Sequence, residues 1–266
     1  MKLVTWNVNS LNVRLPRVLE FIEKHRPEIL CLQETKSPPD KFPHLEFRDA
    51  GYEAVDHSAG AWAGVAILAR EDLTVGESCA GLAGEPAVDE ARWIEAVVDG
   101  VRVVSTYVPN GREVGTDTFH AKLAFYEAMI DRAVALRGTP LVIAGDMNVM
   151  RADIDIYDPA AFVGSTHVTV DERSRFERLL EEGELVDAFR EAHPDEVGYT
   201  WWDYRAGHFH KKLGLRIDYI LMSRDVASRL RASGIDRNFR KGQKPSDHAP
   251  LIAYLDDGVD ERGKQV

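Results

Sequence analysis

The chain has 266 residues, 44% of them hydrophobic, and a formal net charge of −11 at pH 7. This length and composition provide a large core and allow one large domain or two small ones. The acidic balance alone argues against a polyanionic partner, and no apolar run is long enough to span a membrane. Because no Pro-, Gly- or Ser-rich linker interrupts the chain, we predict one domain over residues 1–255 and a flexible polar tail over 256–266.

The distribution of charge is more informative than its total. Residues 205–244 contain 11 Lys and Arg against 3 Asp and Glu, a local net charge of +8 that leaves −19 for the remainder. Residues 153–203 contain 14 acidic and 4 basic residues, a net charge of −10. This asymmetry is compatible with one basic face on an acidic protein, or with charges scattered over both faces.

The cysteines and the first residues bear on the cellular compartment. Cys31 and Cys79 form no CxxC pair, and Cys31 lies in an apolar run. Met1 leads directly into a strand pattern without a signal peptide. The default expectation is therefore a reduced protein of the cytoplasm, or of the nucleoid in a bacterium.

Eight short apolar runs rich in Val, Ile and aromatic residues predict strands. In chain order they are KLVTWN, EILCLQE, GVAILAR, RWIEAVV, VRVVSTY, PLVIAGD, RIDYILMS and APLIAYL. Apolar residues recur at helical spacing over residues 15–22, 118–138 and 176–180. Strands outnumber helices and often follow one another directly, which disfavours alternating βαβ units and favours two packed sheets with helices outside.

Several predicted strands end in polar residues. The run LVIAGDMNVM passes from a buried strand into Asp146 and Asn148, whose side chains point the same way because they are two residues apart in an extended chain. At a single strand end, a turn explains such residues equally well. Five ends of this kind, TWNVN, LQETK, TYVPN, GDMN and SDH, indicate a composite site at one edge of a sandwich.

The polar side chains at these ends, together with Asp218 in the run RIDYILMS, are dominated by oxygen donors. They are Asn7, Glu34, Tyr107, Asn110, Asp146, Asn148, Asp218, Asp247 and His248. Carboxylate and carbonyl oxygens suit hard cations such as Mg²⁺ or Mn²⁺, whereas structural zinc prefers Cys and His. The absence of a GxSxG elbow and of a GxxxxGK[ST] loop disfavours a serine hydrolase or a P-loop enzyme. A metal, a carboxylate base and a histidine suit hydrolysis of a phosphate ester.

These motifs, in this order, resemble the exonuclease III family of the endonuclease/exonuclease/phosphatase superfamily. The matching segments are WNVNSL, LQETK, STYVPNG, GDMNV with DIDIYDP, YTWWDYR, LRIDYILMS and KPSDHAPL, which span residues 3–255. The resemblance implies a four-layer α/β/β/α sandwich of two mixed β-sheets with flanking helices. It also implies a DNA-repair phosphodiesterase that cuts on the 5′ side of abasic sites, degrades duplex DNA from 3′ ends and removes 3′-blocking groups.

The resemblance gives roles to individual residues. Glu34 is expected to be the principal ligand of Mg²⁺ or Mn²⁺, and Asp146 to accept a proton from the attacking water. Asn148 would orient that water or the phosphate, His248 would donate to a non-bridging oxygen, and Asp218 would favour the charged imidazole. The wider set of expected metal ligands is Asn7, Glu34, Asp146, Asn148, Asp247 and His248.

Substrate contacts are expected around this centre. The resemblance assigns Tyr107 to the scissile phosphate and builds an abasic-sugar pocket from Trp201, Leu215 and Ile217. The basic segment HFHKKLGLR favours a polymeric substrate. The residues expected to bind substrate are Asn110, Arg112, Trp201, Lys211, Lys212, Leu215 and Ile217.

The partner implied is duplex DNA with abasic sites or blocked 3′ ends, bound by a monomer. Two alternatives stay open at this point. One is a superfamily enzyme that acts on RNA or small phosphoesters, and the other is a catalytically silent nucleic-acid-binding module.

Overall fold

The structure, a computed structural model, describes residues 1–256. Of the predicted tail 256–266, only Asp256 is among them, so the rest of that prediction lies outside the described residues. The strands within residues 1–256 are β1 (Lys2–Asn7), β2 (Ile29–Gln33), β3 (Tyr52–His57), β4 (Val65–Arg70), β5 (Val75–Ala80), β6 (Trp93–Val98), β7 (Val101–Tyr107), β8 (Leu141–Asp146), β9 (Leu185–Asp187), β10 (Asp218–Ser223), β11 (Leu230–Ile235) and β12 (Leu251–Leu255).

These strands form two mixed six-stranded sheets. The first sheet has the order β11-β12-β1-β2-β4-β3 and the second the order β5-β6-β7-β8-β10-β9. Strand β1 pairs in parallel with β2, and β7 with β8, while their other neighbours are antiparallel. The sheets pack face to face through buried aliphatic residues of β1, β2 and β4 against those of β6, β7 and β8. The predicted sandwich of two sheets is confirmed.

Helices cover the outer faces of both sheets. The α-helices within the described residues are α1 (Leu11–His25), α2 (His44–Asp49), α3 (Asp117–Ala135), α4 (Val170–Glu182), α5 (Ala188–Ala192), α6 (His208–Lys211) and α7 (Arg224–Ala227). Helix α1 packs on the first sheet, and α3 and α4 pack on the second. None of the helices in this part of the chain combines the length and apolar character that crossing a bilayer requires.

The central strands are apolar on both faces because one face packs against the other sheet and the opposite face packs against helices. All six residues of β8 are buried: alternate residues contact the other sheet, and those between them contact α3 and α4. A strand that is buried on both faces reads as a continuous apolar run rather than as an alternating one. This explains why the eight strongest apolar runs in the sequence all correspond to strands in the structure.

Three arginines of the basic segment 205–244, among them the buried Arg216, lie away from any common face. The guanidinium of Arg216 is fully buried and donates to Asp155 at 2.7 Å and to Asp187 at 2.7 Å. Arg229 and Arg231 contact Asp256. Asp256 follows the last residue of β12, whereas His248 precedes the first, so these two arginines lie at the opposite end of the strand from His248. Of the two arrangements left open for the positive charges of residues 205–244, a single basic face therefore does not include these three arginines.

Gly145, immediately before Asp146 on β8, lies where no side chain fits. A Cβ atom there would lie 1.9 Å from the main-chain oxygen of Thr106 on β7. Gly145→Ala should therefore separate β7 from β8 and lower the free energy of unfolding by roughly 2–4 kcal/mol, measured by chemical denaturation. Gly234→Ala is the matched control, because Gly234 also lies in a strand but has open space around it. Equal losses in the two variants would contradict the close approach.

Candidate active site

The polar strand ends predicted from the sequence meet at one edge of the sandwich. Asn7 ends β1, Glu34 follows β2, and Asp146 ends β8. Antiparallel pairing of β8 with β10 sets Asp218 opposite Asp146, and parallel pairing of β7 with β8 sets Tyr107 beside it. The sheet register therefore fixes the relative positions of these side chains.

Asn7 joins the two central carboxylates. Its side-chain Nδ2 donates to Glu34 Oε1 at 2.8 Å and to Asp146 Oδ2 at 3.0 Å. Glu34, Asp146 and His248 each offer a ligand atom, and these three atoms lie within 4.8 Å of one another. Two of the three atoms are carboxylate oxygens, of Glu34 and Asp146, and such donors fit a hard divalent cation.

The electrostatics of Asp146 also favour a cation. Burial, together with the charges of Asp218 and Glu34, raises the pKa of Asp146 to about 8, against the opposing effect of His248. The carboxyl group is 2% exposed, so water does little to offset this negative charge. A divalent cation would stabilise the ionised form of Asp146, and the residues present therefore fit a metal.

His248 and Asp218 form a buried pair. His248 Nδ1 lies 2.9 Å from Asp218 Oδ2, and its Nε2 lies 3.8 Å from Asp146 Oδ2. Burial alone would lower the pKa of His248, but the charge and hydrogen bond of Asp218, with the charge of Asp146, raise it to about 10. The imidazole is therefore charged at neutral pH, and its Nε2–H is directed towards the carboxylate centre.

Asn148 is held in an unusual backbone conformation. Its φ is 48°, in the left-handed region, and its amide N–H donates to Asp146 Oδ1 at 2.9 Å. Its side-chain Nδ2 donates to Val108 O at 2.9 Å, while its Oδ1 accepts from Asn110 Nδ2 at 3.2 Å. Glu34 is also left-handed, with a φ of 51°. Asn148 and Glu34 line the same cavity, and backbone strain at polar residues is typical of functional sites.

Tyr107 borders the carboxylates. Burial raises the pKa of Tyr107 well above its ordinary value, and the charges of Glu34 and Asp146 raise it further. The guanidinium of Arg92 lies 4.7 Å from the centre of the phenol ring. Tyr107 therefore stays protonated and can act as a hydrogen-bond donor.

A cavity of about 460 Å³ opens next to this centre. Trp201, Leu215 and Ile217 all line it, so the three residues predicted as a sugar pocket lie together. Trp201 pairs through its backbone with both Leu215 and His248. The apolar wall is thus connected through backbone pairing to His248, the predicted catalytic histidine.

Asp247 lies in the cavity wall, but its oxygens are already engaged. Oδ1 accepts from Asn9 Nδ2 at 3.0 Å, and Oδ2 accepts from Trp201 Nε1 at 3.0 Å. Asp247 therefore orients Trp201 in this structure, and its role as a metal ligand stays a prediction.

The remaining residues predicted to bind substrate lie at the margins of the candidate active site. Arg112 lines an adjoining cavity of about 280 Å³ together with Glu34, Tyr107 and Asn110. Lys211 and Lys212 are exposed on and just after α6 and lie outside both cavities, although His208, at the start of that helix, lines the larger one. Their contact with substrate stays a prediction.

Sequence reasoning did not single out several residues of this site. Thr200 Oγ1 accepts from the backbone N–H groups of Ile217 and Asp218 at 3.2 Å. Lys36 pairs with Glu34 at 2.7 Å, and His167, with a φ of 77°, lines the larger cavity. Thr200 and Lys36 lie inside the motifs YTWW and LQETK and could have been found there. His167 belongs to no motif, so nothing in the sequence marked it.

Comparison with known proteins yields consistent similarities. The model of the Endonuclease/Exonuclease/phosphatase family matches residues 4–248. Exodeoxyribonuclease III of Haemophilus influenzae is 32% identical, over 95% of this chain and 99% of the relative.

Two solved structures are similar over nearly the whole chain. An AP endonuclease from Archaeoglobus fulgidus has 36% identity and a TM-score of 0.92, with 96% of this chain and 99% of that chain covered. A 3′ phosphatase (NExo) from Neisseria bound to a product DNA hairpin has 39% identity and a TM-score of 0.92, with the same coverage. The chain therefore belongs to the endonuclease/exonuclease/phosphatase family, within its exonuclease III branch.

Proposed function

We propose that this protein is a metal-dependent DNA-repair phosphodiesterase. Its reactions would be abasic-site incision, 3′→5′ degradation of duplex DNA, and removal of 3′-phosphates and other 3′-blocking groups. The observation that carries the proposal is the convergence of Glu34, Asp146 and the His248–Asp218 pair beside a cavity with an apolar wall. Relatives named as exodeoxyribonuclease III, AP endonuclease and 3′ phosphatase support it.

One centre can serve all three reactions, because each hydrolyses a phosphate ester and leaves a 3′-hydroxyl. Asp146 would accept the proton of the attacking water, which Asn148 orients with its carboxamide. His248, held by Asp218, would donate from Nε2 to a non-bridging phosphate oxygen as negative charge develops there. Tyr107 would donate to the same phosphate.

The family is metal-dependent, and we infer Mg²⁺ or Mn²⁺ as the ion. Glu34 and Asp146 would hold it, and the further candidates are Asn7, Asn148 and Asp247. His248 was also predicted as a ligand, but a charged imidazole that donates from both nitrogens offers no lone pair to the ion. When bound, the ion would neutralise charge on the phosphate and lower the pKa of a bound water.

The proposed substrate is duplex DNA with abasic sites or blocked 3′ ends, bound by a monomer. Asn110 and Arg112 would contact the sugar-phosphate backbone near the centre, and Lys211 and Lys212 would contact it farther along. Phosphate contacts of this kind release condensed counterions, so DNA binding should weaken as salt is added despite the acidic composition. A cytoplasmic, nucleoid-associated location is part of the same proposal.

Glu34→Gln tests the metal site, because Gln keeps the shape and removes the charge that a hard cation requires. We expect turnover with Mg²⁺ to fall at least about a hundredfold, while DNA affinity measured by fluorescence anisotropy is retained.

Glu28→Gln is the matched control for this variant. Glu28 directly precedes β2, and Glu34 directly follows it. The two side chains are similarly buried. Glu28 pairs with Arg70 at 2.6 Å, and Glu34 pairs with Lys36 at 2.7 Å. Near wild-type turnover by folded Glu34→Gln, or an equal loss in both variants, would refute the assignment.

Trp201→Ala tests the sugar pocket. Removal of this wall should slow abasic-site incision at least about tenfold, the equivalent of roughly 1.4 kcal/mol. Removal of a 3′-phosphate should suffer less, because that reaction depends more on the metal centre than on selection of the sugar. Both rates are measured on matched duplex oligonucleotides.

Trp201→Phe distinguishes the contribution of the aromatic ring from that of the hydrogen bond to Asp247, because Phe keeps a ring and loses the indole N–H. Equal loss of both activities in folded Trp201→Ala would make Trp201 structural. A wild-type protein that removes 3′-phosphates yet leaves abasic duplexes intact would restrict the function to 3′-end processing.

A further inference from the structure

A fully buried lysine lies directly behind the carboxamides of the site. Lys122 belongs to α3 and is 0% exposed. Its Nζ donates to the main-chain oxygen of Asn148 at 2.6 Å and to that of Asn110 at 3.3 Å. One ammonium group thus holds the backbone carbonyls of two residues whose side chains are themselves hydrogen-bonded to each other.

The counterion of Lys122 is the capping residue of another helix. Glu172 is the third residue of α4, and its Oε2 accepts from the N–H and the hydroxyl of Thr169, the N-cap. Its Oε1 accepts from Lys122, from the Thr166 hydroxyl at 2.7 Å and from the His167 N–H at 2.8 Å. Glu172 therefore connects the start of α4 and the loop before it to the lysine.

A buried ion pair is a costly way to stabilise a fold. The desolvation of two charges can exceed their attraction, and an apolar pair of similar volume is often equally stable. Here the ammonium also reaches a segment whose conformation is strained, since Asn148 has a φ of 48°. At Gly111, a Cβ atom would lie 2.9 Å from Lys122 Cδ, so the loop after Asn110 also packs tightly on the lysine.

We propose that Lys122 is a positioning residue for the reaction, which fixes Asn148 and Asn110 against the scissile phosphate through their main-chain carbonyls, with Glu172 as its buried counterion. The inference rests on the proposed phosphoester hydrolysis and adds a residue that contacts no substrate. Loss of the ammonium would leave the Asn148 carbonyl with His167 Nδ1 at 2.5 Å and the Asn110 carbonyl with the Thr166 hydroxyl at 3.3 Å. These weaker restraints would let the carboxamides move relative to Asp146. A displacement of about 1 Å near the reacting atoms can cost about a hundredfold in rate.

The test compares three variants in removal of a 3′-phosphate from duplex DNA with Mg²⁺. Lys122→Met and Glu172→Gln each leave one buried charge unpaired and should lower Tm by several degrees. The double variant leaves none, and its Tm should recover at least partly. We expect Lys122→Met to lower kcat roughly tenfold to a hundredfold with KM unchanged, and the double variant to stay equally slow. Glu172→Gln, which keeps the lysine side chain and its N–H donors, should lose less kcat.

Arg132→Met is the control, because Arg132 lies on the same helix and pairs with Glu95 away from the site. It should leave kcat unchanged. If kcat of the double variant recovers together with its Tm, or if the two single variants lose kcat in proportion to Tm, Lys122 is structural and the inference fails.

A readout without turnover keeps the two proposals separate. In protein labelled with ¹⁵N-asparagine, the side-chain amide signals of Asn110 and Asn148 should shift in Lys122→Met and not in Arg132→Met. An inactive wild type would overturn the proposed function alone, whereas unshifted amide signals would overturn the positioning role alone.

Discussion

The buried carboxylate of Asp146 is the constraint on which the rest of the site depends. It is 2% exposed at the end of a central strand, with Glu34 and Asp218 close enough to raise its pKa. Such charges are unfavourable in a dry environment unless donors and cations surround them. Asn7 and His248 supply part of that compensation, and a divalent cation would supply the rest. Because the protein alone raises the pKa of Asp146, we expect its ionised form, and with it phosphate-ester hydrolysis, to depend on a bound cation.

The sequence predicted the strands that lie inside the sheets and missed those at the edges. All four missed strands are outer strands: β11 and β3 border the first sheet, and β5 and β9 border the second. An outer strand has one neighbour and more contact with water, so it needs no apolar run; five of the six residues of β5 are exposed. The signal that identified the others, burial on both faces, is physically absent there.

The residues of the candidate site were likewise predictable only in part. Residues such as Asp146 and Asn148 were predictable because polar side chains recur at five strand ends of this chain, whereas one such end would indicate only a turn. Arg216 was counted only among the positive charges of residues 205–244, since a sequence does not show which arginines meet buried carboxylates. Nothing in the sequence distinguished Lys122 from a surface residue, because it lies in a helix, where a lysine normally faces water. Its partner Glu172 is fifty residues away, and only the tertiary structure brings them together.

The most direct test of the central claim is hydrolysis by the purified wild-type protein before and after removal of divalent cations. The substrates are duplex oligonucleotides that carry either a 3′-phosphate or an abasic site. The account predicts that a chelator abolishes hydrolysis and that added Mg²⁺ or Mn²⁺ restores it. Undiminished hydrolysis in the presence of the chelator, or no hydrolysis of either duplex with any divalent cation, would contradict it.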